Sequence, residues 1–177
     1  MRYELMIPAQ IRDAIERHLP VVLPLGVLEF HGEHLGVGMD TLAVTRTAEA
    51  LEQEMEMILL PAFYYGAGSY VVEPPQGRGT VQVDPDGLLP FARQLFASLL
   101  RIGFRNVHGF IHHQSENFVA GMPTDLSFKL AAKQATFDLL GRERGEGWWG
   151  DNSMASYYED FAEGDNPFNW IQIHPLM

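Results

Sequence analysis

The chain has 177 residues, 46% of them hydrophobic and 20% charged, which is enough apolar material for one domain with a core and too much for a disordered chain. Twenty-three acidic residues against 12 basic ones give a formal net charge of -11, which argues against a nucleic-acid groove or an anionic membrane surface as partner. With no cysteine, disulfides, thiolate metal sites, iron–sulfur clusters and thiol catalysis are excluded.

Met1 to Pro8 lacks an apolar stretch of signal-peptide length, and no run is long and apolar enough to span a bilayer. The expectation is a soluble, cytoplasmic protein. Ile11 to His18 places Ile11, Ala14 and Ile15 at helical spacing. The near-continuous apolar run Val21 to Leu28 has the pattern of a buried parallel strand. Asp40 or Thr41 can cap a helix from Leu42 to about Met55, with Ala43, Val44, Thr47, Ala50 and Leu51 on one face. Met57 to Pro61 is a second short strand, and Tyr64 to Gly79 is a loop rich in Gly and Pro.

Thr80 to Val83 alternates as a strand does, and a helix follows from Leu88 to Ile102 with Gly103 past its end. Asn106 to Ile111 is another strand, and Ser127 to Leu140 another helix. Strand and helix in alternation predict an α/β fold, a mainly parallel sheet covered on both faces. No repeat or low-complexity tract divides the chain, so residues 1–177 are expected to form a single domain. The stretch 145–177 is different in kind. It holds all three tryptophans, Trp148, Trp149 and Trp170, and six acidic residues without a Lys or Arg. A lid, an interface arm and a core-packing extension are all compatible with it.

Ligands in open α/β sheets collect beyond the carboxyl ends of the strands. Polar clusters stand at two such places: Glu29-Phe30-His31-Gly32-Glu33-His34 with Asp40 after the first strand, and His112-His113-Gln114-Ser115-Glu116-Asn117 after a later one. Carboxylates and imidazoles without thiolates are an N/O donor set for a divalent ion. Glu29 and His31, two apart, point the same way from extended backbone. A carboxylate at Asp40 can bridge two ions, and bound metal would activate water and polarise a carbonyl. The alternative at each histidine is a hydrogen-bonded loop residue.

The segment Leu25 to Asp40 resembles the signature of the creatininase (creatinine amidohydrolase) family, G-S-x-E-Q-H-G-P-H-L-P-x-x-T-D. Tyr65-Gly66 with Ser69, then Gly79-Thr80, resembles that family's Y-G-x-S and P-G-T loop. Gly103 to Val107 resembles the approach to its N-G-H-G-G-N motif, here His112 to Asn117. The resemblance implies a three-layer α/β/α fold, two divalent ions and hydrolysis of an amide C–N bond in a small cyclic or linear amide. It makes Glu29 a ligand of one ion, His31 of the other and Asp40 the bridge.

The family's next metal-binding His falls on Gln114, with His113 one position away, and Glu116 falls on a carboxylate ligand. His34 and Glu116 are the candidate catalytic groups, passing a proton to the leaving nitrogen, although His34 can equally bond a loop carbonyl. The metal expected is Zn2+, with Mn2+ or Fe2+ as alternatives, at one or two ions per chain. A homo-oligomer, commonly a hexamer in this family, is the expected assembly. The family's later H-A-G-x-x-E-T-S-like segment has no counterpart after Gly121. Two further readings therefore stay open: a mononuclear enzyme of ring opening, isomerisation or cyclisation, and a non-catalytic family member.

Overall fold

The computed structural model describes residues 1–69, 77–113, 124–145 and 166–176. In chain order it contains α1 (Pro8–Glu16), β1 (Val21–Leu25), α2 (Met39–Glu54), β2 (Ile58–Leu59), α3 (Pro85–Ile102), β3 (Val107–Ile111), α4 (Thr124–Arg144) and β4 (Ile171–Pro175). The four strands form one sheet in the order β2-β1-β3-β4. Every pair is parallel, with Val21 opposite Val107, Leu25 opposite Ile111 and Val107 opposite Ile171.

Alternation along β1 sorts its side chains between two layers. Val21, Leu23 and Leu25 enter the main core with Ala14 of α1, Phe96 of α3 and Phe128 of α4, whereas Val22 points to the opposite face and meets Ala48 of α2, Met57 and Leu59. Helices therefore cover both faces, the three-layer α/β/α arrangement expected. The layers are unequal: on the second face α2, among the described residues, packs mainly against β1 and β3. A groove along its flank is lined by Val22, Met55, His108, Phe110 and His174.

Helix α3 buries Leu88, Ala92, Phe96, Leu99 and Leu100 along one stripe, and ends at Gly103, whose φ of 121° suits a residue without Cβ. Helix α4 buries Ala131, Ala132 and Ala135, small residues that let it lie close to its neighbours. No helix among the described residues is long and apolar enough to cross a membrane.

Several elements differ from expectation. Thr80 to Val83 forms no strand; only an isolated bridge joins Gly66 and Gln82, because the segment lies beyond the sheet edge and serves as a brace. β1 stops at Leu25, where the chain turns beneath the start of α2. That helix begins at Met39, so Asp40 lies inside its first turn instead of capping it. Its buried face is Asp40, Thr41, Val44 and Ala48; Thr47, Ala50 and Leu51 are exposed, since among the described residues no second helix packs beside α2 on this face. The C-terminal stretch supplies an edge strand, with Trp170 buried before it and the Arg105 guanidinium 4.5 Å from its ring centroid. Trp148, Trp149 and the rest of 146–165 lie outside the described residues.

The start of α2 approaches β1 closely at Gly26, where an added Cβ would stand 2.5 Å from the Thr41 nitrogen and 2.8 Å from its Cα. Backbone cannot yield as a flexible side chain does. Gly26→Ala is expected to cost about 3 kcal/mol of stability, read from urea unfolding. On the sparsely covered face, the His108 Nδ1 and His174 Nε2 atoms are 3.0 Å apart and the His108 Nε2–H donates to the Asn106 side-chain oxygen at 2.8 Å. Burial, and then the charge of His174, hold His108 below its usual pKa of 6.5. The unfolded chain therefore takes up the proton first, and stability declines as pH falls below that value. His108→Gln is expected to flatten the loss of the urea midpoint between about pH 7 and about pH 5.

Candidate metal centre

The carboxyl ends of β1, β2 and β3 open on one polar cluster. Glu29 leaves the end of β1, Asp40 projects from the first turn of α2, and His113 follows β3. All three are buried, at 4%, 3% and 3% exposure. His31 is half-buried beside them. Glu29, His31 and Asp40 each offer a donor atom within 4.8 Å of the others.

Hydrogen bonds to main-chain carbonyls aim both imidazoles. The His31 Nδ1–H donates to the Glu29 carbonyl, two residues back, at 3.0 Å, leaving Nε2 at 2.9 Å from Asp40 Oδ1. The His113 Nε2–H donates to the Ala67 carbonyl at 2.8 Å, leaving Nδ1 at 3.0 Å from Asp40 Oδ2 and 3.4 Å from Glu29 Oε1. Asp40 thus gives one oxygen to each imidazole. Glu29 Oε2 accepts the Ser69 N–H at 2.8 Å.

Two carboxylates withdrawn from water need positive charge nearby. Among the described residues, no Lys or Arg pairs with Glu29 or Asp40; their partners are His31 and His113. Burial pushes the His113 imidazolium down, but the hydrogen bonds and charges of Asp40 and Glu29 outweigh it and raise the pKa from 6.5 to about 9. Burial likewise pushes the Glu29 carboxyl up, and His113, the Ser69 N–H and His31 together hold it below its usual 4.5. The proton on His113 stands where a cation would. Carboxylate oxygens and carbonyl-locked imidazoles suit a divalent ion, so the donor set fits the metal expected from the sequence.

The structure brings together Glu29, His31, Asp40 and His113. Gln114 and Glu116, also expected as ligands, lie outside the described residues, as do Asn117 and Tyr70. His34 is exposed, with its ring close to Gly32. His112 is tied elsewhere, its Nδ1–H donating to the Leu176 carbonyl at 2.7 Å. Phe30, between two candidate ligands, donates its N–H to Thr80 Oγ1 and lies beneath the Arg78 guanidinium, 5.2 Å from the ring centroid. The sequence reading missed Ala67 and Thr124, which act through main-chain and hydroxyl groups that residue type does not advertise.

A parallel α/β sheet with a buried carboxylate–imidazole cluster at its carboxyl edge defines the class to which this chain belongs. Residues 4–133 match the creatininase model, creatinine amidohydrolase, and the chain belongs to that family. The 3-dehydro-scyllo-inosose hydrolase of Thermotoga maritima is 28% identical over 113 residues, covering 60% of this chain and 35% of that protein. Among solved structures, a mutant creatininase complexed with creatine superposes with a TM-score of 0.67 at 18% identity, over 95% of this chain and 66% of that one. A mutant creatininase of Zn–Zn type gives 0.68 at 18%, over 92% and 64%, and creatininase with Mn gives 0.66 at 16%, over 98% and 57%. These likenesses show the creatininase fold. The chain spans about a third of the curated relative's length and less than two thirds of the creatininase chains.

With metal chelated, the charge on His113 makes stability depend on pH in a definite sense. Its folded pKa lies above the unfolded one, so its contribution is complete below about pH 6.5 and lost as pH rises through about 9. The urea midpoint of the chelated chain is expected to fall across that window, and His113→Gln to remove most of the fall.

Proposed function

We propose that this chain is a divalent-metal-dependent hydrolase of the creatininase type, cleaving a C–N amide bond in a small cyclic or linear amide. The observation that carries the reading is the convergence of Glu29, Asp40, His31 and His113 in a buried cluster with no Lys or Arg counter-charge among the described residues. Bound there, divalent ions would polarise the scissile carbonyl and lower the pKa of water beside it. Asp40 directs Oδ1 to the His31 side and Oδ2 to the His113 side, which supports a bridging role. Glu29 presents Oε1 to the same space while Ser69 holds its other oxygen. Glu116 and His34 are the groups assigned to carry the proton to the leaving nitrogen. Zn2+ is the metal proposed, and a cytoplasmic homo-oligomer the assembly.

A second reading has support from one finding. The curated relative, by its name, hydrolyses 3-dehydro-scyllo-inosose, so a cyclic polyol ketone is the alternative substrate class. Elemental analysis of protein purified without chelator, followed by assays on creatinine, other cyclic amides and that ketone, separates the two. Asp40→Ala is expected to lower metal affinity and turnover together, each by more than about a hundredfold. Full turnover in that variant would sink the metal mechanism.

A further inference from the structure

Between β2 and α3 the chain crosses the carboxyl edge of the sheet, and three consecutive residues there make main-chain hydrogen bonds, two of them to groups of the site. The Ala67 N–H donates to Thr124 Oγ1 at 2.9 Å, and the Ala67 carbonyl accepts from His113 Nε2–H at 2.8 Å. The Gly68 N–H donates to Gln82 Oε1 at 2.8 Å, and the Ser69 N–H to Glu29 Oε2 at 2.8 Å. One short strap thus grips a donor residue that follows β1 and another that follows β3.

Thr124 anchors this strap. It is the first residue of α4, fully buried, and its hydroxyl also lies 3.2 Å from the Ala67 carbonyl oxygen. Contact is so close at Gly66 that an added Cβ would stand 2.7 Å from both Thr124 Oγ1 and Cγ2. With Ala67 pinned, its carbonyl meets Nε2 of His113, and Nδ1 alone is left facing Asp40 and Glu29.

We propose that Thr124 is a positioning residue of the metal centre: its hydroxyl fixes Ala67, and Ala67 fixes which nitrogen His113 presents to the ion. The inference rests on the metal reading above and extends it to a residue that touches neither metal nor substrate. Groups that hold a ligating histidine by its second nitrogen commonly matter about 10–100-fold in metal affinity. Threonine is needed here for the hydroxyl, whereas its methyl merely fills space, and valine and serine separate the two.

The test is Zn2+ binding by the metal-free full chain and by the Thr124→Val and Thr124→Ser variants, measured in competition with a chromophoric chelator. Ring-nitrogen NMR of the zinc-loaded forms accompanies it. Thr124→Val is expected to bind Zn2+ about 10–100-fold more weakly, with a mixture of His113 nitrogens ligating. Thr124→Ser is expected to stay within a few-fold of the original chain, with Nδ1 ligating and Nε2 protonated.

Equal affinity and an unchanged His113 signal in Thr124→Val would overturn the proposal, as would a Thr124→Ser variant as weak as valine. Should the valine variant not fold, the serine variant decides by the same two readouts. Absence of Zn2+ binding by the original chain would instead overturn the metal reading, and this inference with it.

Discussion

Two carboxylates stand side by side at the carboxyl edge of the sheet, shielded from water, in a chain whose net charge is already -11. Their mutual repulsion and loss of hydration oppose folding unless positive charge is supplied locally. Imidazoles answer that need reversibly, since they can release a proton to solvent when a stronger cation takes its place, as Lys and Arg cannot at neutral pH. The surrounding architecture follows from holding four such groups together. Glycine at position 26 lets the first turn of α2 slide under β1 and bring Asp40 to Glu29. The parallel register of β1 and β3 brings His113 to the same level.

Much of this was legible from residue order. Strands at 21–25 and 107–111 announce themselves by apolar runs bounded by polar clusters, and the helix 85–102 by its apolar stripe and terminal glycine. Glu29, His31 and Asp40 are picked out by type and spacing alone. The fourth strand was not legible: Ile171-Gln172-Ile173 alternates over too few residues, and its pairing with β3 is set by a partner some 60 positions away in the chain. Thr80 to Val83 failed for the converse reason. Its alternation is real, but no strand edge is available beside it, so its side chains brace the site: Thr80 through Phe30 and Gln82 through Gly68.

His113 shows how far spacing can be trusted. Motif alignment puts the family's histidine on Gln114, yet the end of β3 delivers His113 into the cluster and turns His112 to the Leu176 carbonyl. Successive side chains of extended backbone point to opposite sides. Register at the end of β3 therefore decides which of two adjacent imidazoles reaches the carboxylates, and register is a property of the sheet.

The strap from Gly66 to Ser69 belongs to no helix or strand, and its neighbourhood is of the kind that usually frays first. Its hydrogen bonds end on Thr124, His113, Gln82 and Glu29, each carried by a different segment of the chain. Local opening there disturbs the site at two points, because releasing Ala67 frees His113 and releasing Ser69 leaves Glu29 without its N–H donor. In the language of subglobal unfolding, this loop forms one cooperative unit with the strand ends it bridges, and it opens at the free energy of that unit instead of that of a surface loop.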